Sequence, residues 1–222
     1  DDELPLISNL PADMVVSVDS GVCGANVSWS SPIATDNCGV AGLASDQENG
    51  SLYPVGTTLV TYTSTDVHGN IGTNSFSITV EDLELPTLTG LPQLIELDAE
   101  VDLCGAIGSW AAPVINDNCE VTEITQTHMN GDFFPVGSTT VLYTVTDSAG
   151  NVLTHAISIV VSDVQAPTIT QVPSDLVLDT TPGDCGRVAA WAQPLISDAC
   201  GAFTTTSTHS TGDFFIPGIT QV

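Results

Sequence analysis

The sequence predicts an all-β protein built of tandem immunoglobulin-like β-sandwiches, one per 81-residue repeat. Three observations carry this. The first is a fixed period: Cys23-Gly24 returns as Cys104-Gly105 and Cys185-Gly186 (104 − 23 = 185 − 104 = 81), and Trp29, Trp110 and Trp191 keep the interval, as do Pro32, Pro113 and Pro194. A constant interval without insertions means one structural unit strung in tandem. The second is period-2 alternation of apolar residues rich in Val and Thr, which marks strands buried on one face. The third is regular turn punctuation with no segment of capped helical periodicity.

The elements follow in order along one repeat. Met14, Val16 and Val18 alternate with their neighbours, and Ile95, Leu97 and Ala99, then Leu176, Leu178 and Thr180, occupy the same places in the later copies. Trp29, just after the first cysteine, reads as a core residue. Asn49-Gly50 and Pro54-Val55-Gly56 are turns. Val60, Tyr62 and Ser64 become Val141, Tyr143 and Val145, and Phe76, Ile78 and Val80 become Ile157, Ile159 and Val161. Asp66-Val67-His68-Gly69-Asn70 is the hairpin link between these two strands. About seven short strands with such turns describe an immunoglobulin-like sandwich. The linker Asp82-Leu83-Glu84-Leu85-Pro86 is matched by Asp163-Val164-Gln165-Ala166-Pro167. Its proline restricts the backbone on both sides, so successive domains are expected in a semi-rigid rod.

This gives domains at residues 1–81, 82–162 and 163–222. The third is read as incomplete. Val222 aligns with Val141 and Val60, so the last two strands have no counterpart. The expectation is either a longer protein or a strand supplied by a neighbour.

Composition narrows the function. A single Lys or Arg (Arg187) stands against 27 acids, for a net charge of −26. Such a chain repels nucleic acid and anionic lipid headgroups, which require basic side chains for neutralisation. With 42% hydrophobic and only 13% charged residues it has the apolar content of a folded chain rather than a disordered one. Two cysteines per repeat, and no Cys-x-x-Cys, read as a disulfide framework formed in an oxidising, extracellular compartment. No apolar run reaches the roughly 18 residues of a membrane span, so no direct membrane insertion is expected. An enzyme is not expected. His68, His128, His155 and His209 are scattered, no nucleophile elbow or phosphate loop is present, and cations that would stabilise an oxyanion are nearly absent.

The run Trp29-Ser-Ser-Pro32-Ile-Ala-Thr-Asp36-Asn37, then Tyr53-Pro54-Val55-Gly56-Thr57-Thr58, then Val60 through Asp66 to Gly69-Asn70, resembles the hyalin repeat, or HYR domain. The resemblance covers nearly the whole chain, in two complete copies and one partial. The paired cysteines, in Cys23-Gly24 and Asp36-Asn37-Cys38, resemble the version found in very long surface proteins of Bacteroidota, including gliding adhesins. The resemblance implies an extracellular adhesion or stalk role and supplies no ligand. The third copy departs from the pattern at Ile216-Pro217-Gly218 and at Ala199, which stands where the others have Asn37 and Asn118.

Four sets of candidate residues follow. Disulfides are expected within repeats, as Cys23–Cys38, Cys104–Cys119 and Cys185–Cys200; closing such a 15-residue loop stabilises by about 3 kcal/mol in the chain-entropy treatment. That pairing requires the loop to fold back along the sheet, and otherwise Cys23 pairs with Cys119 of the next repeat. For metal, the incoming linker, the second-to-third strand loop and the last hairpin share one pole of such a sandwich. That gathers Asp82, Glu84, Asp117, Asn118, Asp147 and Asn151, an oxygen set that suits calcium, although Asp and Asn also cap turns. Asn26 and Asn49 are N-glycosylation acceptors in form, and Ser148 and Thr180 sit in motifs resembling bacterial O-glycosylation sites. The expected partners are neighbouring repeats of the same chain and other copies in a filament. The role expected is a stalk or filament segment of a large adhesin; the alternative is a glycan- or protein-binding module. Constant loop lengths favour the stalk, because recognition usually lives on loops that differ.

Overall fold

A computed structural model describes residues 2–201 and 203–222, all of it strand and loop. No helix among the described residues is long and apolar enough to cross a membrane.

The first repeat contains eight strands where about seven were expected. They are β1 (Leu6–Ser8), β2 (Met14–Ser17), β3 (Gly24–Asn26), β4 (Ile33–Thr35), β5 (Val40–Ser45), β6 (Leu52–Pro54), β7 (Gly56–Asp66) and β8 (Ile71–Glu81). The extra elements are short antiparallel pairs, β1 with β4 and β3 with β6. The principal sheet has the order β2-β8-β7-β5. Its long hairpin β7–β8 is antiparallel from Gly56↔Val80 to Thr65↔Ile71, and β2 lies parallel to β8 with Met14 opposite Ile78. The alternation read from the sequence is the burial pattern of this sheet. Val60, Tyr62 and Ser64 on β7, and Phe76, Ile78 and Val80 on β8, face inward. They meet Ile7, Ala25 and Tyr53 from the short pairs and Val27 just after β3, with Trp29 packed against them. Fully burying side chains such as Val60 and Ile78 contributes roughly 1.5–3 kcal/mol each. The Trp29 indole N–H donates to the Tyr62 hydroxyl at 2.9 Å, and its ring meets Phe76 edge-on at 5.4 Å. Trp29 is thus a core residue with a satisfied polar edge.

The second repeat runs through β9 (Thr87–Thr89), β10 (Leu94–Asp98), β11 (Gly105–Ile107), β12 (Val114–Asn116), β13 (Val121–Gln126), β14 (Phe133–Pro135), β15 (Gly137–Asp147) and β16 (Val152–Ser162). The third contributes β17 (Thr168–Thr170), β18 (Arg187–Val188), β19 (Leu195–Ser197) and β20 (Phe214–Phe215).

The Cys-Gly signature has a steric cause. Gly24 and Gly105 open the β3 and β11 pairings and Gly186 immediately precedes β18, and a Cβ there would run into the carbonyl oxygen of Tyr53, Phe134 or Phe215 on the partner strand. The strand expected at Leu176–Thr180 does not form, and Val177 is 94% exposed. Its counterparts β2 and β10 pair in parallel with β8 and β16, and the 222 residues hold no third copy of those partners.

Two compact units divide the chain, and their borders cut through the second repeat. One comprises Asp1–Leu91, Ala111–Thr127 and Leu142–Ala156. It therefore contains the whole first repeat together with β9, β12 and β13 and the buried Tyr143, Val145 and Asp147. The other comprises Pro92–Trp110, His128–Val141 and Ile157–Val222. Within it, β10 pairs with β16 and β11 with β14, over the buried Ala106, Trp110, Phe134, Val141, Ile157, Ile159 and Val161.

Candidate functional site at the repeat junction

The cysteines correct the sequence reading. Cys23 is bonded to Cys119, with Cα atoms 4.7 Å apart, and Cys104 to Cys200, with Cα atoms 4.9 Å apart; each pair is 96 residues apart. Neither Cys23–Cys38, Cys104–Cys119 nor Cys185–Cys200 forms, and Cys38 and Cys185 are exposed free thiols. Local turns explain why. Cys23 sits in a tight turn closed by Asp19 N–H to Gly24 O and Val22 N–H to Asp19 O. Each second cysteine sits instead in an Asx turn. The Asp36, Asp117 and Asp198 carboxylates accept from the backbone N–H of Cys38, Cys119 and Cys200, each at 2.9 Å. The loop is pinned by its own aspartate, and Cys119 and Cys200 meet the first cysteine of the repeat before them.

The linker is bound into the same place. The Asp82 carbonyl accepts from Asn151 Nδ2 at 3.0 Å, and its Oδ1 accepts from Glu84 N–H and Asn118 Nδ2. Asn118 Nδ2 also reaches Val22 O at 3.4 Å. Glu84 points away from this group: its Oε2 accepts from Gly21 N–H at 3.2 Å. One repeat later Gln165 Oε1 accepts from Asp102 N–H at 3.1 Å, and its Nε2 donates to Glu100 O. Gly21 and Asp102 hold matching left-handed conformations, φ 71° and 61°. The position therefore serves as a latch on the preceding repeat's cysteine turn, and a neutral amide fills it as well as a carboxylate.

Asp82 and Asp147 are 4% and 2% exposed. One carboxylate oxygen from each of Asp82, Asp117 and Asp147 lies within 4.8 Å of the others. Asp147 is the hairpin aspartate. Its Oδ1 accepts from the Ala149 and Asn151 amides and its Oδ2 from Asn151 Nδ2 at 2.7 Å. Burial pushes its carboxyl up, but these hydrogen bonds outweigh burial and hold it below the ordinary carboxylate value. In the other two acids one oxygen is left over: Asp82 Oδ2 and Asp117 Oδ1 are buried without a partner, as is Asn118 Oδ1. Of the six residues expected around calcium, Asp82, Asp117 and Asp147 are grouped by their carboxylate oxygens, Asn118 and Asn151 are hydrogen-bonded to Asp82 through their amide nitrogens, and Glu84 is turned to Gly21. The sequence reading missed a second such grouping, Asp163, Asp198 and Cys200. Its signal was the period itself, since Asp163 and Asp198 are Asp82 and Asp117 displaced by 81.

The glycosylation candidates are exposed, but two have structural duties. Asn26 Nδ2 donates to Asp19 Oδ2 at 2.7 Å. Asn49 brackets the Trp29 backbone, accepting from its N–H and donating to its carbonyl; Asn130 and Thr211 likewise accept from the N–H of Trp110 and Trp191. Ser148 and Thr180 lie on exposed loops. His128 and His209 stack on Phe134 and Phe215 in the same register.

The fold and the stapled junction define an all-β tandem-repeat protein whose disulfides fit an extracellular setting. The HYR domain model matches residues 1–80 and 81–161, and the chain belongs to that family. It is 34% identical over 226 residues to hyalin of Lytechinus variegatus, covering 98% of this chain and 43% of that protein. To hyalin of Strongylocentrotus purpuratus it is 32% identical, covering 100% of this chain and 19% of that one. A Rattus norvegicus protein, "Sushi, von Willebrand factor type A, EGF and pentraxin domain-containing protein 1", is 36% identical over 72% of this chain and 4% of its own length. The chain thus spans less than half the length of these curated relatives. All three are animal proteins, so they lend no support to the Bacteroidota setting. Among solved structures, a protocadherin gammaB7 EC3-6 dimer aligns over 89% of this chain and 61% of its own, at 14% identity and a TM-score of 0.36.

Proposed function

We propose that this chain is a tension-bearing, non-catalytic segment of a large extracellular adhesion-type protein, a stalk whose immediate partners are the neighbouring repeats of its own chain. The observation that carries this is the overlap of the two disulfide loops. The loop Cys23–Cys119 ends after the loop Cys104–Cys200 has begun. A pulling force entering at Cys23 crosses to Cys119, runs back 15 residues to Cys104 and crosses to Cys200 (119 − 104 = 15), while the backbone route takes 177 residues (200 − 23 = 177). Extended chain reaches about 3.5 Å per residue, so the covalent route is about 50 Å and the backbone route about 600 Å. Even a fully unfolded repeat would then lengthen the stalk little. Bonds within repeats would give no such protection, since each would shorten the path by only its own 15 residues.

Single-molecule pulling from the two ends tests this. The oxidised chain should extend little, and reduction should add about 550 Å of contour from the 162 residues released (177 − 15). An oxidised chain that already gives up most of that length would overturn the reading.

A further inference from the structure

We propose that Asp82, Asp117 and Asp147, with the side-chain oxygen of Asn118, form a site for a single hard divalent cation, calcium in preference to magnesium. The three carboxylate oxygens lie within 4.8 Å of one another. Ligand oxygens of one calcium ion, bonded at about 2.3–2.6 Å, stand at most about 4.6–5.2 Å apart, so the three can share one ion, and a buried set of protein oxygens suits calcium over magnesium, which dehydrates reluctantly and keeps several waters. The donors are all oxygens, with no imidazole or thiolate in the group, which excludes the softer transition-metal chemistries.

The second, independent observation is what these side chains lack. Asp82 is 4% exposed, and its Oδ2 has no hydrogen-bond partner; Asp117 Oδ1 and Asn118 Oδ1 are likewise buried and unpartnered. A buried carboxylate oxygen without a donor is costly, and close carboxylates repel. The chain's one Lys or Arg is Arg187, whose guanidinium donates to the Asp179 carbonyl. The remaining oxygen of each acid is already used, Asp82 Oδ1 by Glu84 and Asn118, and Asp117 Oδ2 by Cys119. In Asp82 and Asp117 the hydrogen bonds thus fix the side chain and leave one oxygen free for an ion, while both oxygens of Asp147 also accept from its own hairpin. Part of the arrangement recurs one repeat later, where oxygens of Asp163 and Asp198 again come within 4.8 Å.

The site joins the linker to the turn that carries Cys119, so an ion there couples the linker to the staple. It does not depend on the tension-bearing reading: pulling reports the disulfide route, and titration reports the ion. The test is calorimetric titration of the intact oxidised chain with calcium chloride, alongside melting in calcium, in magnesium and in chelator. Asp82→Asn and Asp117→Asn should each weaken calcium roughly tenfold or more, because the charge count of the ligand set tunes affinity. Both should also abolish the calcium-dependent rise in melting temperature. Glu96→Gln and Glu123→Gln remove the same charge outside the group and should bind as the parent does. If all four variants weaken binding equally, calcium is only diffusely attracted to an acidic chain and the site does not exist. The absence of any calcium response in the parent would be equally decisive against it.

Discussion

Cys23 is bonded to Cys119, a residue in the Asx turn of the following repeat, with the Glu84 latch on Gly21 and the Asn118 bond to Val22 close beside it in sequence. The staple and the latch act on one turn, residues 19–24, which is itself closed by backbone hydrogen bonds. Peptide mapping under non-reducing conditions should return Cys23 linked to Cys119 and Cys104 linked to Cys200. Trypsin has only Arg187 to cut at, so a protease that cuts at acids is needed. A Cys23–Cys38 peptide would contradict the assignment.

Removing a staple should cost far more than the size of each core suggests. Each bond closes a loop of 96 residues, for which the chain-entropy treatment gives about 4–5 kcal/mol. Cys23→Ser with Cys119→Ser should lower the unfolding free energy by an amount of that order in denaturant titration. The Cys38→Ser change, which removes a free thiol, should leave it unchanged.

The fold was legible in the sequence because alternation and burial report the same fact. Val60, Tyr62, Phe76, Ile78 and Val80 could face only one way. The disulfide partners were not legible, for an arithmetic reason. In a strict 81-residue period Cys38 and Cys119 are the same position, so pairing within a repeat and pairing to the next use identical residues. Cys119 is held by the Asx turn of Asp117, a local hydrogen bond that the sequence shows only as an acid two residues before a cysteine. The junction acids Asp82, Asp117 and Asp147 were legible from the poles of a sandwich. Glu84 was misplaced because a carboxylate reads alike as a ligand and as an acceptor. Gln165 in its register was the clue, since an amide keeps the acceptor and drops the charge.

Acid should loosen the first repeat through Asp66. Burial works against its charge, but the Asn70 side chain and the amides of Asn70, His68 and Gly69 donate to it and win, holding the carboxyl below its ordinary value. A group with a lowered folded pKa adds stability that is complete above the unfolded value of about 3.9 and is lost as pH falls through the folded value. The melting temperature should therefore drop on acidification below about pH 4. Asp66→Asn should melt lower at pH 7 and show a shallower drop. Parallel curves for parent and variant would show that the hairpin carboxylate contributes nothing through its charge.

Gly105→Ala should disrupt the β11–β14 pairing. The added methyl would meet both the Phe134 carbonyl and the Phe133 ring. The ring can turn aside, since Phe133 is 49% exposed, but the carbonyl belongs to the paired strand. Forcing a methyl group into a packed position costs about 1–3 kcal/mol. Gly131→Ala is the instructive contrast. Nothing lies within 4 Å of its added Cβ, but its φ of 96° strains any side chain, so that loss comes from the backbone alone. Urea melts of both variants against the parent are the readout.

The two free thiols should behave as unfilled halves of the same staple. Cys185 is the register equivalent of Cys23 and Cys104, and Cys38 that of Cys119 and Cys200. Both are exposed, so alkylation of the native, unreduced chain should mark Cys38 and Cys185 and spare the other four. Fusing a further copy of residues 82–162 in register after residue 162, ahead of the third repeat, then gives a sharper test. If pairing is set by the Asx turn and the cysteine turn, the inserted copy should take Cys104 as partner for its own second cysteine and pass its first cysteine on to the third repeat. The number of free thiols should stay at two and the number of staples should rise by one. New free thiols in the inserted copy would mean that the sequence around each cysteine, rather than its place in the period, selects the partner.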